Sequence, residues 1–300
     1  MTSYLTYLTA AIVQLALLAQ ATDLLGGHCG RLGLGAVSAA GVAGYGYAVG
    51  TVTYGLQPWA GIMVGMGAAA LLSGLLTILV VKSDAHEYLL ATFALQMAFV
   101  ELVNNLAISG GPLGVRNVLP PAVRFLPPEA SLSSLAVVLP SLGFASLALL
   151  AALGPHGRVG RACHWIRDDL MSAAASSLHV PRLLGSACLM HCLIAGTAGI
   201  GMVIAQGYVA PRSFDLWLSL KVLTVVILSG TGGNPIMMLV GSAILVAVSE
   251  LVNATIVAPE AVGPLQQILI NSLLVALLVW RKRGLAGPAL EPGPSAERPE

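Results

Sequence analysis

Long apolar stretches alternate with short polar connections along almost the whole chain. Nine of these stretches are long enough to cross, or nearly cross, the roughly 30 Å hydrocarbon core of a bilayer. They lie near 4–24, 34–54, 58–81, 87–109, 132–153, 183–206, 214–230, 235–257 and 262–280. The stretch at 34–54 is rich in Gly and Ala, and that at 214–230 is the shortest, so either could be tilted or broken. The pattern predicts an all-α polytopic transmembrane helical bundle of about nine spans, within a range of eight to ten.

The composition supports this interpretation. Hydrophobic residues make up 57% of the chain and charged residues only 9%, with a mean hydropathy of +0.87. A soluble domain carries roughly a quarter charged residues, so a bilayer is the solvent that suits this chain. The formal net charge of +1 indicates no nucleic-acid partner. The N-terminus lacks the positive region of a cleaved signal peptide, and we expect it to form the first span.

The Lys and Arg residues predict the orientation of the chain, because cytoplasmic loops are enriched in them. With nine spans threaded, nine basic residues fall on one side of the membrane. They are Arg31, Lys82, Arg158, Arg161, Arg167, Arg182, Arg281, Lys282 and Arg283. Arg116, Arg124 and Arg212 fall on the other side. We therefore predict an outer N-terminus, an inner C-terminus, one permease domain over 1–285 and a disordered cytoplasmic tail over 286–300.

The longest inner loop, at 157–182, predicts a contact with a soluble partner. Its part from Asp168 to Leu178 begins with acids, continues with Ala and Ser, and is followed by Pro181. These features are typical of a short helix. A short helix between two spans on the positive side of a membrane can dock in a groove of a soluble protein.

Two motifs resemble one known family. The segment GRVGRACHWIRDDLMSAAASSLHV at 157–180 resembles a stretch in the permease subunits of branched-chain amino acid ABC importers. The matching residues are Gly157, Arg158, Arg161, Ile166, Arg167, Asp168, Asp169, Ala173, Ala175 and Val180, whereas Leu170 and Ser177 depart from the family pattern. The segment at 207–241 resembles a second family stretch. It matches at Pro211, Ser213, Phe214, Ser219, Leu223, Gly230, Gly232 and Pro235.

The resemblance implies a translocation subunit of the bacterial inner membrane that carries no catalytic site and no cofactor. Its solutes would be branched-chain amino acids or related small polar molecules, moved by ATP-driven alternating access. Its partners would be cytoplasmic ABC ATPase subunits, a second related permease and an extracytoplasmic solute-binding protein. The residues that would couple to the ATPase are Arg167, Asp168, Asp169, Ala173 and Ser177. The sequence GTGGNP at 230–235 lacks the Lys-Ser/Thr of a P-loop, so ATP hydrolysis belongs to another subunit.

Polar residues within the apolar stretches are candidates for the solute path, because such residues are costly in lipid. The candidates are Glu101, Asn104, Asn105, Lys221, Glu250 and Asn253. Two interpretations of Lys221 stay open. It either snorkels to the interface or forms a buried ion pair with Glu101 or Glu250.

Other function classes find less support in the sequence. Cys188, His191 and Cys192 share a helical face, a pattern that fits ordinary helix packing better than a metal site. The alternative function is an ion-coupled secondary transporter, which would need acids or broken helices near the midplane. An intramembrane enzyme would need a convergent His, Ser or acid set, and His191 is the one His within the spans.

Overall fold

Helices form nearly all the regular structure of the chain. The computed structural model describes residues 2–118, 120–121, 158–168, 179–231, 235–255 and 259–280. The predicted span at 132–153, most of the predicted short helix at 168–178, and the tail at 286–300 lie outside the described residues. The described helices are α1 Thr2–Asp23, α2 Gly35–Ala48, α3 Pro58–Lys82, α4 Ala85–Asn105, α5 Arg158–Asp168, α6 Val180–Gln206, α7 Leu216–Ser229, α8 Pro235–Thr255 and α9 Pro259–Trp280.

The predicted fold class is confirmed. Four described helices are long and apolar enough to cross a membrane, at Tyr7–His28, Pro58–Lys82, Val180–Gln206 and Pro235–Asn253. A fifth candidate is α4, after which the chain bends by 85° into 107–113. The predicted stretch at 87–109 therefore ends as a helix earlier, at Asn105. The count of nine spans stays a prediction.

The helix ends follow local sequence signals. Asp84 and Glu87 form a capping box that starts α4. Pro181 lies in the first turn of α6, where its missing N–H costs no hydrogen bond. Gly207 and Gly230 end α6 and α7 with φ of 68° and 93°, conformations that favour glycine.

Helix α2 lies at the centre of the bundle and packs against α1, α3, α4 and α6. It has 14 residues, about 21 Å of α-helix. A π-helical turn at Val49–Thr53 extends it. Small residues allow its close contacts: a Cβ at Gly199 of α6 would lie 2.0 Å from the Ala40 carbonyl oxygen, and one at Gly65 of α3 would lie 2.4 Å from that of Ala43. The Gly- and Ala-rich composition of 34–54 thus serves tight packing.

The contacts between connections define two ends of the bundle. At one end, which we call the α5 end, Arg31 donates a hydrogen bond to the Ser83 carbonyl oxygen and Arg167 of α5 donates one to that of Gly27. At the other end, called the β end, strands β1 Val115–Arg116 and β2 Tyr208–Val209 pair antiparallel, with Val115 opposite Val209. Among the described basic residues, Arg31, Lys82, Arg161 and Arg167 lie at the α5 end, and Arg116 and Arg212 lie at the β end.

Candidate functional site

A cavity with both polar and apolar lining residues lies between α1, α6, α7 and α8, toward the β end. Its volume is about 220 Å³. We call it the Lys221 pocket; its polar lining residues are Tyr7, Gln14, Gln206 and Lys221, and its apolar lining includes Leu15, Leu18, Met202 and Leu218. The pocket combines an ammonium, two amides and a phenol with an aliphatic surface, which is the composition of a site for a small amphiphilic molecule.

Lys221 carries the positive charge of this pocket. Its Nζ lies 5.9 Å from the centroid of the Trp217 ring, within range of a cation–π contact. Among the described residues, Lys221 forms no ion pair with a carboxylate within 4 Å. The predicted pair of Lys221 with Glu101 or Glu250 is therefore not formed at that distance.

Gln14 contributes an unpaired hydrogen-bond donor to the pocket. Its side chain is 8% exposed, and its Nε2 has no hydrogen-bond partner among the described residues. A buried amide usually finds a partner, since leaving one unpaired costs about 1–3 kcal/mol. An amide N–H and an ammonium are both hydrogen-bond donors, so this pocket lining offers donors to a group that accepts hydrogen bonds.

A second, more open groove adjoins the Lys221 pocket between α1 and α8. Its volume is about 790 Å³, its lining includes Glu250 and Asn253, and both cavities share Val246. Tyr4 Oη donates a hydrogen bond to Glu250 Oε2, and Gln266 Nε2 donates one of 2.8 Å to Asn253 Oδ1. The structure thus brings three of the predicted path residues, Lys221, Glu250 and Asn253, into adjoining cavities.

The other three predicted path residues lie elsewhere, on α4. Glu101 and Asn105 are exposed, Asn104 is half-buried, and Asn105 Nδ2 donates to the Glu101 carbonyl oxygen at 2.8 Å. Helix α4 packs against α2 and against the short helix Pro211–Phe214, not within the walls of either cavity.

A second functional region is the contact of α5 with residues 27–30, which we call the α5 seam. The His28 and His164 rings lie 5.1 Å apart, and Arg167 reaches the Gly27 carbonyl oxygen. Burial lowers the pKa of His164, and neighbouring His28 and Arg167 lower it further. The seam is thus closed by packing, one charge-assisted hydrogen bond and a tilted pair of imidazole rings.

Two buried thiols lie inside the α5 seam. The Cys29 thiol donates a hydrogen bond to the Cys163 sulfur, which lowers the pKa of Cys163 and raises the pKa of Cys29. Both side chains are at most 2% exposed. Reagents in solution therefore reach these thiols only when the seam opens.

Helix α5 presents its other face to solvent. Arg161, Trp165 and Asp168 recur at helical spacing and are exposed, Trp165 by 46%, whereas Cys163 and Ile166 are buried. Of the predicted coupling residues, Arg167 lies in the seam and Asp168 on the exposed face. Asp169, Ala173 and Ser177 lie outside the described residues. The sequence interpretation missed α5, although Cys163 and Ile166, three apart in a polar segment, were a signal for it.

His191 connects α6 to α1. Its Nδ1 lies 2.6 Å from the Ala21 carbonyl oxygen, and a carbonyl only accepts, so Nδ1 carries the proton. That carbonyl lies just before the π-helical turn Leu24–His28, where the usual helical pairing is interrupted. In the described ranges no three His, Cys, Asp or Glu side chains are placed to hold a metal. His191 is buried and packs between α6 and α1.

Three polar residues of the Lys221 pocket were not predicted from the sequence: Tyr7, Gln14 and Gln206. Gln14 had a signal, since it interrupts the apolar run of the first stretch. Gln206 ends α6 and Tyr7 lies near the chain start, positions where polar residues are ordinary. Only packing shows that these residues meet Lys221.

Comparisons with known proteins agree on one family. The family described as "Branched-chain amino acid transport system / permease component" matches residues 4–278. Two curated relatives carry the name "High-affinity branched-chain amino acid transport system permease protein LivM". The one from Escherichia coli (strain K12) is 28% identical, and the one from Salmonella typhimurium is 25% identical. Each alignment covers 81% of this chain and 63% of the relative, so the chain spans under two thirds of their length. No solved structure matches.

Proposed function

This chain belongs to the family of branched-chain amino acid transport permease components, and on that premise we propose that it is the membrane-spanning permease subunit of an ABC importer. The match over residues 4–278 carries the proposal. The solutes are branched-chain amino acids or related small polar molecules, and they cross by ATP-driven alternating access. The subunit performs no hydrolysis itself.

The complex contains further subunits. Two cytoplasmic ABC ATPase subunits supply the energy, a second related permease completes the membrane part, and an extracytoplasmic binding protein delivers the solute. The whole assembly lies in the inner membrane of a bacterium. The α5 end, with Arg31, Lys82 and the Arg residues of α5, faces the cytoplasm.

The loop 157–182 couples this subunit to the ATPase. Helix α5 supports this assignment, because its exposed face carries an aromatic ring at Trp165 between Arg161 and Asp168. Aromatic and Arg side chains are enriched at the centres of protein interfaces. Asp169, Ala173 and Ser177 extend the same contact beyond α5.

The solute path runs along α1, α7 and α8. Lys221 in its pocket and Glu250 and Asn253 in the adjoining groove supply polar groups there. Helix α5 contacts the π-helical turn Leu24–His28, and this turn continues α1, which lines the pocket. Movement of ATPase-coupled α5 would reach the path through this turn and α1.

Uptake by reconstituted protein tests the proposal. The chain, assembled with its ATPase, second permease and binding protein in proteoliposomes, should take up labelled leucine only when ATP is inside. Replacing the P-loop Lys of the ATPase should abolish uptake. Uptake that follows an ion gradient without ATP would instead identify a secondary transporter.

Crosslinking tests the docking separately. A cysteine introduced at Ala173 or Trp165 should crosslink to cysteines in the ATPase groove. In intact cells, neither position should react with a membrane-impermeant thiol reagent added outside. External labelling of Ala173→Cys would place the loop on the wrong side for coupling.

A further inference from the structure

The Lys221 pocket contains two donors that no protein acceptor occupies. The Lys221 ammonium has no carboxylate within 4 Å among the described residues, and the Gln14 Nε2 has no hydrogen-bond partner there. Asp215 interacts electrostatically with Lys221 but forms no ion pair with it within 4 Å, and its side chain caps α7 by accepting from the Leu218 amide at 3.1 Å. An anion in this pocket would meet a cation and an amide N–H together, the donors that bind carboxylates most strongly.

The remaining lining of the pocket restricts what that anion can carry. Leu15, Leu18 and Met202 present an aliphatic surface next to the two donors. The volume of about 220 Å³ equals that of about seven waters at ~30 Å³ each, which is room for one small molecule. No acidic residue is among the described residues that line the pocket; Asp215, outside that lining, interacts electrostatically with Lys221.

The Lys221 side chain lies against the Trp217 ring. A cation–π contact at 5.9 Å is weak compared with a charge-assisted hydrogen bond. Lys221 can therefore leave the ring when a carboxylate is available. A lysine whose role was only to reach the membrane surface would not need an unpaired buried amide beside it.

We propose that Lys221 and Gln14 bind the carboxylate of a small aliphatic solute, whose side chain packs on Leu15, Leu18 and Met202. This inference rests on the proposed function and deepens it. The pocket selects for the carboxylate itself, and the amine of an amino acid is a secondary feature, because Tyr7 and Gln206 offer it only neutral groups. The subunit thus contributes to solute selection independently of the binding protein.

Equilibrium binding of labelled leucine tests this proposal. The full-length chain, purified with its ATPase and second permease but without the binding protein, is titrated with leucine. Two competitors follow: 4-methylpentanoate, which lacks the amine, and leucinamide, which lacks the carboxylate. We expect 4-methylpentanoate to compete and leucinamide to bind about tenfold more weakly or worse, the value of a lost charge-assisted hydrogen bond.

The leucine affinities of variants test whether Lys221 and Gln14 bind the solute. Lys221→Met should weaken leucine binding about tenfold to hundredfold, and Gln14→Met should weaken it by less. Lys221→Arg keeps the charge and should retain most of the affinity. Lys82→Met, at an exposed lysine of α3, is the matched control and should leave the affinity unchanged.

Three results would overturn the proposal: no leucine binding by the wild-type complex, equal binding of leucine and leucinamide, or unchanged affinity in Lys221→Met. If Lys221→Met does not fold, the competitor series on the wild-type protein and the Lys221→Arg variant decide. ATP-driven uptake together with unselective binding would refute this inference alone. Selective binding without ATP-driven uptake would refute the proposed function alone.

Discussion

The α5 seam and the Lys221 pocket both bury polar groups between helices, but they differ in how these groups are satisfied. In the seam, Arg167 donates to the Gly27 carbonyl oxygen and Cys29 donates to Cys163. In the pocket, Gln14 Nε2 has no hydrogen-bond partner and Lys221 has no ion pair within 4 Å among the described residues. Lys221 contacts the Trp217 ring and interacts electrostatically with Asp215. The polar groups of the α5 seam bind one another, whereas those of the Lys221 pocket are available to bind a ligand.

This difference distinguishes polar groups that stabilise the fold from polar groups that bind a ligand. A satisfied buried network stabilises the fold, and removing one member costs free energy. An unsatisfied buried donor costs free energy already, and a ligand that accepts a hydrogen bond from it would recover part of that cost. The seam should therefore lose stability when its polar groups are removed, whereas the pocket should lose binding and keep its stability.

The largest expected effect comes from breaking the close contact between α2 and α6, which lies outside both regions. Gly199→Ala would place a Cβ 2.0 Å from the Ala40 carbonyl oxygen, which only a shift of α6 away from α2 can relieve. We expect a loss of about 3 kcal/mol in the free energy of unfolding, as for other overpacked cores. The melting temperature of the purified protein in detergent measures it.

Gly67→Ala is the matched control for that change. Gly67 lies within α3, and a Cβ there would meet nothing within 4 Å. Alanine in a helix interior should stabilise by about 1 kcal/mol relative to glycine. Equal melting temperatures for Gly199→Ala and the wild type would show that α2 and α6 are not packed as described.

Removing the polar contact of the seam should have the next largest effect. Arg167→Ala deletes a hydrogen bond from a charged donor, worth about 1.5–3 kcal/mol. Opening of the seam should become about tenfold to hundredfold more frequent. The rate at which N-ethylmaleimide alkylates Cys29 and Cys163, read by mass spectrometry, reports this opening.

The same chain supplies internal controls for the alkylation experiment. Cys192 is buried in α6 and, unlike Cys188, has no electrostatic interaction with Cys29 or Cys163, so its labelling rate should stay unchanged. Arg167→Lys keeps a charged donor and should give an intermediate rate. Faster labelling of all four thiols together would indicate global loosening and contradict a local role for Arg167.

Removing a polar group from the Lys221 pocket should not destabilise the protein, in contrast to Arg167→Ala in the seam. Gln14→Met removes an unpaired buried amide at nearly constant volume, so the free energy of unfolding should stay equal or rise by about 1 kcal/mol. Leucine uptake should fall in the same variant. A clear loss of melting temperature would mean that Gln14 stabilises the fold, and the contrast between the two regions would fail.

The smallest expected effect is a pH dependence of the seam. Burial lowers the pKa of His164, so the closed seam disfavours the imidazolium. Seam stability should be complete above the ordinary His pKa of about 6.5 and should be lost as the pH falls from there through the lowered value. His28, Arg167 and Asp168 surround this group and set the size of the effect.

A variant isolates this titration from the pH dependence of the thiols. The ratio of Cys163 alkylation rates in wild type and His164→Asn is measured from about pH 7.5 to about pH 5.5, across the ordinary His range. The wild type should label relatively faster as the pH falls. A constant ratio would exclude His164 as the titrating group.

Parts of this arrangement were accessible from the sequence. The membrane-spanning helices were predicted from the long apolar stretches, because apolar side chains favour an apolar environment, whether lipid or protein. Gly230, which matches the family segment at 207–241, ends α7 with a φ of 93°, a conformation that favours glycine. Helix α5 was missed because its few apolar residues, Cys163 and Ile166, become a packing face only against residues 27–30.

The sequence by itself determined the solvent, the fold class and the family, because these depend on composition and on motifs within short segments. The membership of the Lys221 pocket was decided by tertiary structure. Tyr7 and Gln14 of α1 meet Gln206 of α6 and Lys221 of α7 only when the helices pack. Periodicity shows which face of a helix is polar, but not which face of another helix it meets.

The predicted pairing of Lys221 with Glu101 or Glu250 was not observed for the same reason. Glu101 lies on α4 and Glu250 accepts from Tyr4, so Lys221 contacts an aromatic ring instead.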